Sequence, residues 1–188
     1  MTRLLFQALN APVLILLTAV GIAIQTSLFA IWPLNYFQPD IVLIVVIWCA
    51  LRRNFVEGGI LTLIAAHLAE LHSAVPRGTF GVSYMLVYLL VRGSSRMLVI
   101  PDLSSFVIVT LFSSLLMKIS TATTLHLLAP DIQVLRNSLF LLFPGAAVAG
   151  LLSIWGYQWL EKFDNFTYKN RRSEESLEQD LNLDSEGF

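Results

Sequence analysis

Three ionisable residues, His67, Glu70 and His72, lie close together in a stretch of the chain that is otherwise apolar. His67 and Glu70 are three residues apart, so on a helix their side chains would share one face. Such side chains can bind zinc, but the order H-x-x-E-x-H differs from the H-E-x-x-H and H-x-x-E-H motifs of zinc enzymes. We therefore interpret the group as a polar patch near a helix end and predict no metal site.

Lys118 and Asp40 are further candidates. Lys118 lies in the middle of the run Leu103–Leu128, which is otherwise uncharged, and a charge inside a membrane helix marks a functional or structural contact by default. We expect a structural ion pair with Glu70, a kink in the fifth helix, or a contact with an anionic ligand. Asp40 follows Pro39 and precedes an apolar run. This order is typical of a helix start, because an acid there favours the positive end of the helix dipole.

Recognisable catalytic motifs do not occur in the sequence. Ser73 and His72 are adjacent, and adjacent residues on a helix do not face each other, so they make a poor nucleophile and base. The chain carries no glycine-rich phosphate loop and no redox-cofactor motif. Cys49 is the only cysteine, which excludes an intramolecular disulfide, and its apolar surroundings favour a buried position. We predict a protein that is not an enzyme and uses no cofactor.

The composition predicts an all-α, polytopic membrane protein. Of the 188 residues, 56% are hydrophobic and 13% are charged, about half the usual charged share. A membrane helix needs roughly 20 mostly apolar residues. About six segments are candidates, and together they form a transmembrane domain over residues 1–160. The predicted spans are residues 11–32, 34–51, 56–74, 79–92, 102–128 and 138–160.

The second predicted span is unusually short in uncharged residues. Its uncharged part, Ile41–Leu51, ends at Arg52 and Arg53, and eleven residues would reach only about 16 Å along a helix. We expect the helix either to begin earlier, near residues 34–38, or to be short and enclosed by protein. In the sixth span, Gly145/Ala149 and Ala146/Gly150 have the small-xxx-small spacing that lets helices approach closely.

The charges predict an orientation. With a cytoplasmic N-terminus, nine lysines and arginines fall on the inner side and two, Arg77 and Arg136, on the outer side, which fits the positive-inside rule. Both termini are then cytoplasmic. Trp155, Tyr157 and Trp159 would lie at the inner boundary. Residues 161–188 carry four basic and eight acidic residues and are predicted to form a disordered cytoplasmic tail. The chain has no basic face of the kind that binds nucleic acid.

Four stretches resemble the MreD family of bacterial rod shape-determining proteins. QPDIVL at 38–43 and WCALRR at 48–53 are similar to the opening and the end of the family's second span, and EGG at 57–59 stands where the family has a glycine. ELHSAVPRG at 70–78 is similar to the pattern D-L-L-S-G-x-P-x-G. Ser73, Pro76 and Gly78 match this pattern, whereas Glu70 replaces an aspartate and Ala74 replaces a glycine. The motifs cover residues 35–95.

The resemblance implies a multi-pass protein of the bacterial inner membrane that acts in cell elongation and lateral peptidoglycan synthesis. It implies MreC as a partner. Through MreC it implies the MreB filament and a synthase pair, formed by a SEDS glycosyltransferase and a penicillin-binding transpeptidase. The motif residues expected to position a partner are Pro39, Asp40, Gly58, Glu70, Ser73, Pro76 and Gly78. His67 and Lys118 remain intramembrane polar candidates.

The resemblance also implies a fold similar to the substrate-binding subunits of energy-coupling-factor vitamin transporters. A small-molecule uptake subunit is therefore the alternative function. It would need a closed polar pocket of about 300–1,000 Å³, and the residues expected to line it are Glu70, His72, Lys118 and His126.

Overall fold

The structure is a computed structural model that describes residues 2–28, 39–95, 103–128 and 142–167. The described residues form six helices and no strands, so the predicted all-α class is confirmed at this level. The helices are α1 Thr2–Leu28, α2 Ile41–Arg52, α3 Phe55–Leu71, α4 Thr79–Ser95, α5 Leu103–Leu128 and α6 Leu142–Phe166.

The short helix α2 occupies the centre of the bundle. It contacts all five other helices, and eight of its twelve residues are buried. A helix that is apolar on every side is found in the core of a protein or within a membrane, because it has no polar face to turn towards water. The helix begins at Ile41, so it is the short, enclosed form that the sequence allowed as one of two possibilities. Residues 34–38 lie outside the described part of the chain.

Two of the described helices are long and apolar enough to cross a membrane by length and composition, Leu9–Leu28 within α1 and Leu103–Leu128 of α5. Helix α1 begins at Thr2, nine residues before the predicted start at Ala11. Hydropathy marks the apolar part of a helix, whereas the helix itself continues into the polar residues that precede it. Residues 29–32 of the first predicted span lie outside the described part.

The C-terminal helix runs further than the sequence predicted. The sixth span was expected to end at residue 160, but α6 continues to Phe166, and Leu160 and Asp164 are buried. The first part of the predicted tail is therefore helical. The reason is that Asp164 has partners inside the bundle, which cannot be predicted from the distribution of charge along the sequence. Residues 138–141 and 168–188 lie outside the described part.

Helices α5 and α6 pack closely through small residues. The buried face of α6 includes Gly145, Ala146, Ala149 and Gly150, the set that the small-xxx-small spacing predicted. A Cβ atom placed on Gly150 would lie 2.6 Å from Cδ2 of Leu111 on α5, so a larger side chain there would require the Leu111 side chain to shift. Close approach of this kind is how helices associate where lipid supplies no hydrophobic driving force between them.

Candidate functional site

The first polar cluster lies at the start of α2. Asp40 is the N-cap of this helix, and its Oδ1 accepts a hydrogen bond from the Leu43 backbone N–H at 2.9 Å. The Tyr84 hydroxyl of α4 donates to the same carboxylate, 2.8 Å from Oδ1 and 2.9 Å from Oδ2. Gln25 of α1 accepts from the Ile41 N–H through its Oε1 at 3.1 Å. The prediction that Asp40 starts a helix is confirmed, and the same carboxylate also fastens α4 to α2.

Lys118 is half-buried on α5. The pair of Lys118 with Glu70 stays a prediction. On the neighbouring face of α4, the Ser83 hydroxyl accepts from Ser120 at 3.2 Å and from Thr121 at 3.3 Å. These two hydrogen bonds join α4 to α5, and no sequence motif predicted them.

Glu70 is a cap for α4 rather than a metal ligand. Its Oε1 accepts from the Gly81 N–H in the first turn of α4 at 3.0 Å. His72 turns back to its own helix, where Nδ1 lies 2.9 Å from the Leu68 carbonyl oxygen, and His67 is exposed. The three residues of the H-x-x-E-x-H group therefore point to different neighbours. Within the described residues no group of three or more His, Cys, Asp or Glu could hold a metal ion.

The turn between α3 and α4 is built from the motif residues of the resemblance. The Ser73 hydroxyl donates to the Glu70 carbonyl at 3.3 Å and accepts from the Val75 N–H at 3.4 Å. Pro76 accepts from the Thr79 N–H through its carbonyl at 3.3 Å. Gly78 has φ of +90°, a conformation that residues with a Cβ rarely adopt. These residues fix the angle at which α4 leaves α3.

Gly58 has a packing role at the other end of α3. A Cβ atom there would lie 2.8 Å from the Tyr88 hydroxyl oxygen and 3.0 Å from the Cys49 carbonyl oxygen. The Tyr88 hydroxyl donates to the Phe55 carbonyl at 2.7 Å. Glycine at this position lets α3 approach both α2 and α4. Pro39, the remaining motif residue, is buried directly before the N-cap.

A second polar cluster, which the sequence did not predict, closes the opposite end of the bundle. Asp164 of α6 is fully buried and forms an ion pair with the Arg53 guanidinium at the end of α2. It also accepts from Trp48 Nε1 at 2.9 Å and from Asn10 Nδ2 at 3.2 Å. Asn10 in turn accepts from Arg53 Nη2 at 2.9 Å and donates to the Thr167 hydroxyl at 2.6 Å. We call these five residues the Asp164 cluster.

The Asp164 cluster brings three helices together at one end. Asn10 lies on α1 and Thr167 directly follows α6, so the N-terminal part of α1 and the end of α6 lie on the same side of the bundle. A signal for the cluster exists in the sequence, because Ala146, Ala149, Ser153, Tyr157, Leu160 and Asp164 follow one another at helical spacing. Residues spaced three or four apart share one helix face, and all six are buried.

An aromatic group packs next to the Asp164 cluster. The rings of Trp48, Phe106 and Tyr157 join α2, α5 and α6, with centroids 5.2–6.1 Å apart. Arg52 lies over the Trp48 ring at 5.4 Å and donates to the Tyr157 hydroxyl at 3.2 Å. Tyr157 is therefore part of the core, whereas Trp155 and Trp159 are exposed. Arg52 and Arg53, predicted as charges at the membrane surface, hold helices together.

A small cleft lies between α1, α2 and α3. Its volume is about 10 Å³, and apolar side chains together with Thr18 line it. This is room for about one water molecule and is far below the size of a small-molecule site. The full lining is Leu14, Ile15, Thr18, Val45, Leu61, Ala65 and Leu68.

Large apolar side chains are exposed on five of the helices. They lie on α1, α3, α4, α5 and α6. The polar residues Thr18, Thr110, Ser113, Ser114 and Ser153 are buried.

Comparisons with known protein families, with curated proteins and with solved structures find no match.

Proposed function

We propose that the chain is a six-span protein of the bacterial inner membrane with both termini in the cytoplasm. The outward faces of five helices support this proposal, because exposed leucine, isoleucine, valine, phenylalanine and tryptophan side chains would be costly in water. Small and hydroxylated residues such as Ala149, Thr110 and Ser114 are buried among the large apolar side chains of the core, as expected where helices associate within lipid. The exposed Trp155 and Trp159 near the inner end of α6 suit the aromatic belt at a membrane boundary.

Within that membrane, we propose a scaffold or regulator of cell elongation that acts with MreC, as the MreD resemblance implies. One observation carries this proposal. The motif residues of the resemblance cap helices, form the turn after α3 and pack α3 against its neighbours. Residues used in this way determine the shape of a surface, which is what a partner protein would recognise.

The polar groups of the described residues support a scaffold over a transporter. Asp40, Glu70 and Asp164 each accept hydrogen bonds from backbone or side-chain groups of other helices, so their binding capacity is used to hold the bundle together. For the vitamin-uptake alternative, Glu70 and His72 would have to turn towards a shared pocket. Both instead bond to backbone atoms nearby.

Affinity purification of the full chain from its native membrane tests the function. We expect MreC to co-purify with it. Recovery of a bound vitamin together with an energising ATPase module would overturn the scaffold proposal and establish the alternative. A matched control is the Glu70→Ala variant, which removes the cap on α4. It should retain less MreC than Glu70→Gln, whose side-chain oxygen can still accept from Gly81.

The orientation has a separate test that uses two exposed turn residues. Ala74 lies in the turn after α3 and Asn54 in the turn before it, and both are exposed. In a Cys49→Ala background, a cysteine at Ala74 should react with a membrane-impermeant thiol reagent added to intact spheroplasts. A cysteine at Asn54 should react only after the membrane is opened. The reverse pattern would invert the topology, and reaction of both in intact spheroplasts would exclude a span at α3.

A further inference from the structure

One side of the bundle, formed by the outward faces of α3 and α4, carries a narrow apolar belt. On α3, the exposed residues Ile60 and Leu63 lie between two exposed polar residues, Asn54 and His67. Thirteen residues separate these polar positions, which is about 20 Å along a helix. The half-buried Glu57 lies inside the Asn54 end, so the apolar belt on α3 is no wider than this.

The neighbouring helix α4 has an apolar belt of the same width. It begins at Thr79, and its last turn contains Arg92. These positions are also thirteen residues, or about 20 Å, apart, and the large apolar residues that α4 exposes all lie between them. We call the outward apolar residues of the two helices the short belt. Its main members are Val56, Ile60, Leu63, Val82, Leu86 and Leu89.

Helix α1 carries a wider belt. Residues Leu9–Leu28 are long and apolar enough to cross a membrane, and none of them is charged. Large apolar side chains are exposed along this whole length, including Leu16 and Val20. Twenty residues reach about 30 Å along a helix, which equals the hydrocarbon thickness of a typical bilayer. The short belt is therefore about 10 Å narrower than that hydrocarbon layer.

The ends of the short belt cannot extend to make up this difference. A short span is accommodated by snorkelling of flanking side chains, by thinning of the bilayer or by association with protein. Arg92 is held in place, because its Nη1 donates to the Ala50 carbonyl in the last turn of α2 at 2.9 Å. Snorkelling needs the long stem of lysine or arginine, and His67 at the other end has no such stem.

The side chains of the short belt suit acyl chains better than another helix. Interfaces between membrane helices are enriched in small residues that allow close approach. On α3 the small residues Gly58, Ala65 and Ala66 are buried, and on α4 Ser83 is buried. The exposed residues of the short belt are valine, isoleucine and leucine. The surfaces that allow close helix packing are thus already used inside the bundle, and lipid is the favoured occupant outside.

We propose that the chain thins the lipid bilayer along the short belt, where it binds phospholipid acyl chains in a hydrocarbon layer of about 20 Å. Along α1 the bilayer keeps its usual thickness, so the thinning is confined to one side of the bundle. This inference goes beyond the proposed role with MreC. It rests on the proposed function in one respect, because it requires a chain that is embedded in a membrane.

Fluorescence quenching by brominated lipid tests the proposal on the full chain in vesicles. Ile60→Trp places a tryptophan on the short belt, and Leu16→Trp places one on α1 as a matched control. Brominated dioleoylphosphatidylcholine quenches a tryptophan that its acyl chains contact, and an unbrominated lipid that displaces it restores the fluorescence. At Ile60 the short-chain dimyristoleoyl lipid should compete at least about threefold better than the long-chain dierucoyl lipid. At Leu16 the two lipids should differ by less than about twofold.

Both variants are made in the same background. Trp48 is kept, because it is fully buried and does not contact acyl chains. The other tryptophans, Trp32, Trp155 and Trp159, are replaced by phenylalanine. The Cys49 thiol is buried in the folded chain, so it should remain unreactive in every variant, which shows that the bundle is folded.

The residue at position 67 provides a second test. His67→Leu removes the polar limit of the short belt and extends the apolar surface of α3 by about one turn, to the exposed Leu71. The preference for the short-chain lipid at Ile60 should then fall below about twofold. His67→Gln keeps a polar group at this position and should keep the preference.

Three results would overturn the inference. Equal competition by the two lipids at Ile60 would mean that the bilayer beside the short belt has its ordinary thickness. Absence of quenching at Ile60, with normal quenching at Leu16, would mean that a second copy of the chain covers α3. An unchanged preference in His67→Leu would mean that the histidine does not limit the belt, and the width from which thinning follows would be wrong.

The outcomes also separate this inference from the proposed function. If the short-chain preference is found but MreC does not co-purify with the chain, thinning of the bilayer stands and the role with MreC fails. If MreC co-purifies and the preference is absent, the proposed function stands and the thinning fails. Absence of quenching at both Ile60 and Leu16 would overturn the membrane-embedded bundle itself, and the thinning with it.

Discussion

Replacing Asp164 by alanine should strongly destabilise the folded bundle. The carboxylate is fully buried and accepts from Arg53, Asn10 and Trp48. Its removal leaves the Arg53 guanidinium, 1% exposed at its side chain, without its counter-charge. Breaking a buried ion pair by removing one partner typically costs about 3–5 kcal/mol.

This cost converts into a measurable shift of the melting temperature. For a chain of 150–250 residues, 1 kcal/mol corresponds to about 2–4 °C, so Asp164→Ala should melt roughly 6–20 °C below the wild type. The single cysteine provides the assay, because Cys49 is buried in the folded chain. In detergent, a dye that becomes fluorescent on reaction with thiols will report the temperature at which this core opens.

Two controls separate the ion pair from other effects of the substitution. Lys162→Gln changes an exposed charge two residues away on the same helix and should move the melting temperature by little. The double variant Arg53→Met with Asp164→Ala removes both charges and should melt above Asp164→Ala, since no unpaired charge stays buried. If Asp164→Ala melts within about 2 °C of the wild type, Asp164 is not part of the core and α6 does not close the bundle.

Two further predictions use the same assay. Asp40→Ala should lower the melting temperature by about 1–8 °C, because an N-cap contributes roughly 0.5–2 kcal/mol, whereas Asp40→Asn should retain the cap; an equal loss in both variants would show that the cap is not the source of the effect. Gly58→Ala should melt below Gly59→Ala, since the new methyl group lies 2.8 Å from the Tyr88 hydroxyl oxygen in the first case and no closer than 3.8 Å to Tyr88 in the second. The opposite order would contradict the close approach of α3 to its neighbours.

Local features of the chain were accessible from sequence. Pro39 and Asp40 precede an apolar run, and this order alone predicts the start of α2 that the structure confirms. The short uncharged run Ile41–Leu51 predicts, as one of two possibilities, a short helix enclosed by protein, and eight of the twelve residues of α2 are buried. The buried position of Cys49 is likewise confirmed. Each of these three features depends on residues that are neighbours along the chain, so the sequence was sufficient to predict it.

The candidate sites were only partly accessible. His67, Glu70 and His72 form one group in the sequence because they are close along the chain. In the structure His67 is exposed, Glu70 caps α4 and His72 bonds to its own helix. Spacing along one helix indicates which residues share a face, but the direction of that face depends on how the helix packs.

The sequence by itself determined that this chain is helical and rich in apolar segments, because hydropathy, helix caps and glycine positions act over a few residues. Only the tertiary structure decided which charged side chains are buried. Arg53 and Asp164 are 111 positions apart, and the sequence predicts each of them as a surface charge next to an apolar run. Their burial follows from the packing of α2 against α6, and the exposure of His67 follows from the packing of α3 through its opposite face. Contacts between distant elements of this kind depend on how the helices are arranged in space, which local residue patterns do not specify.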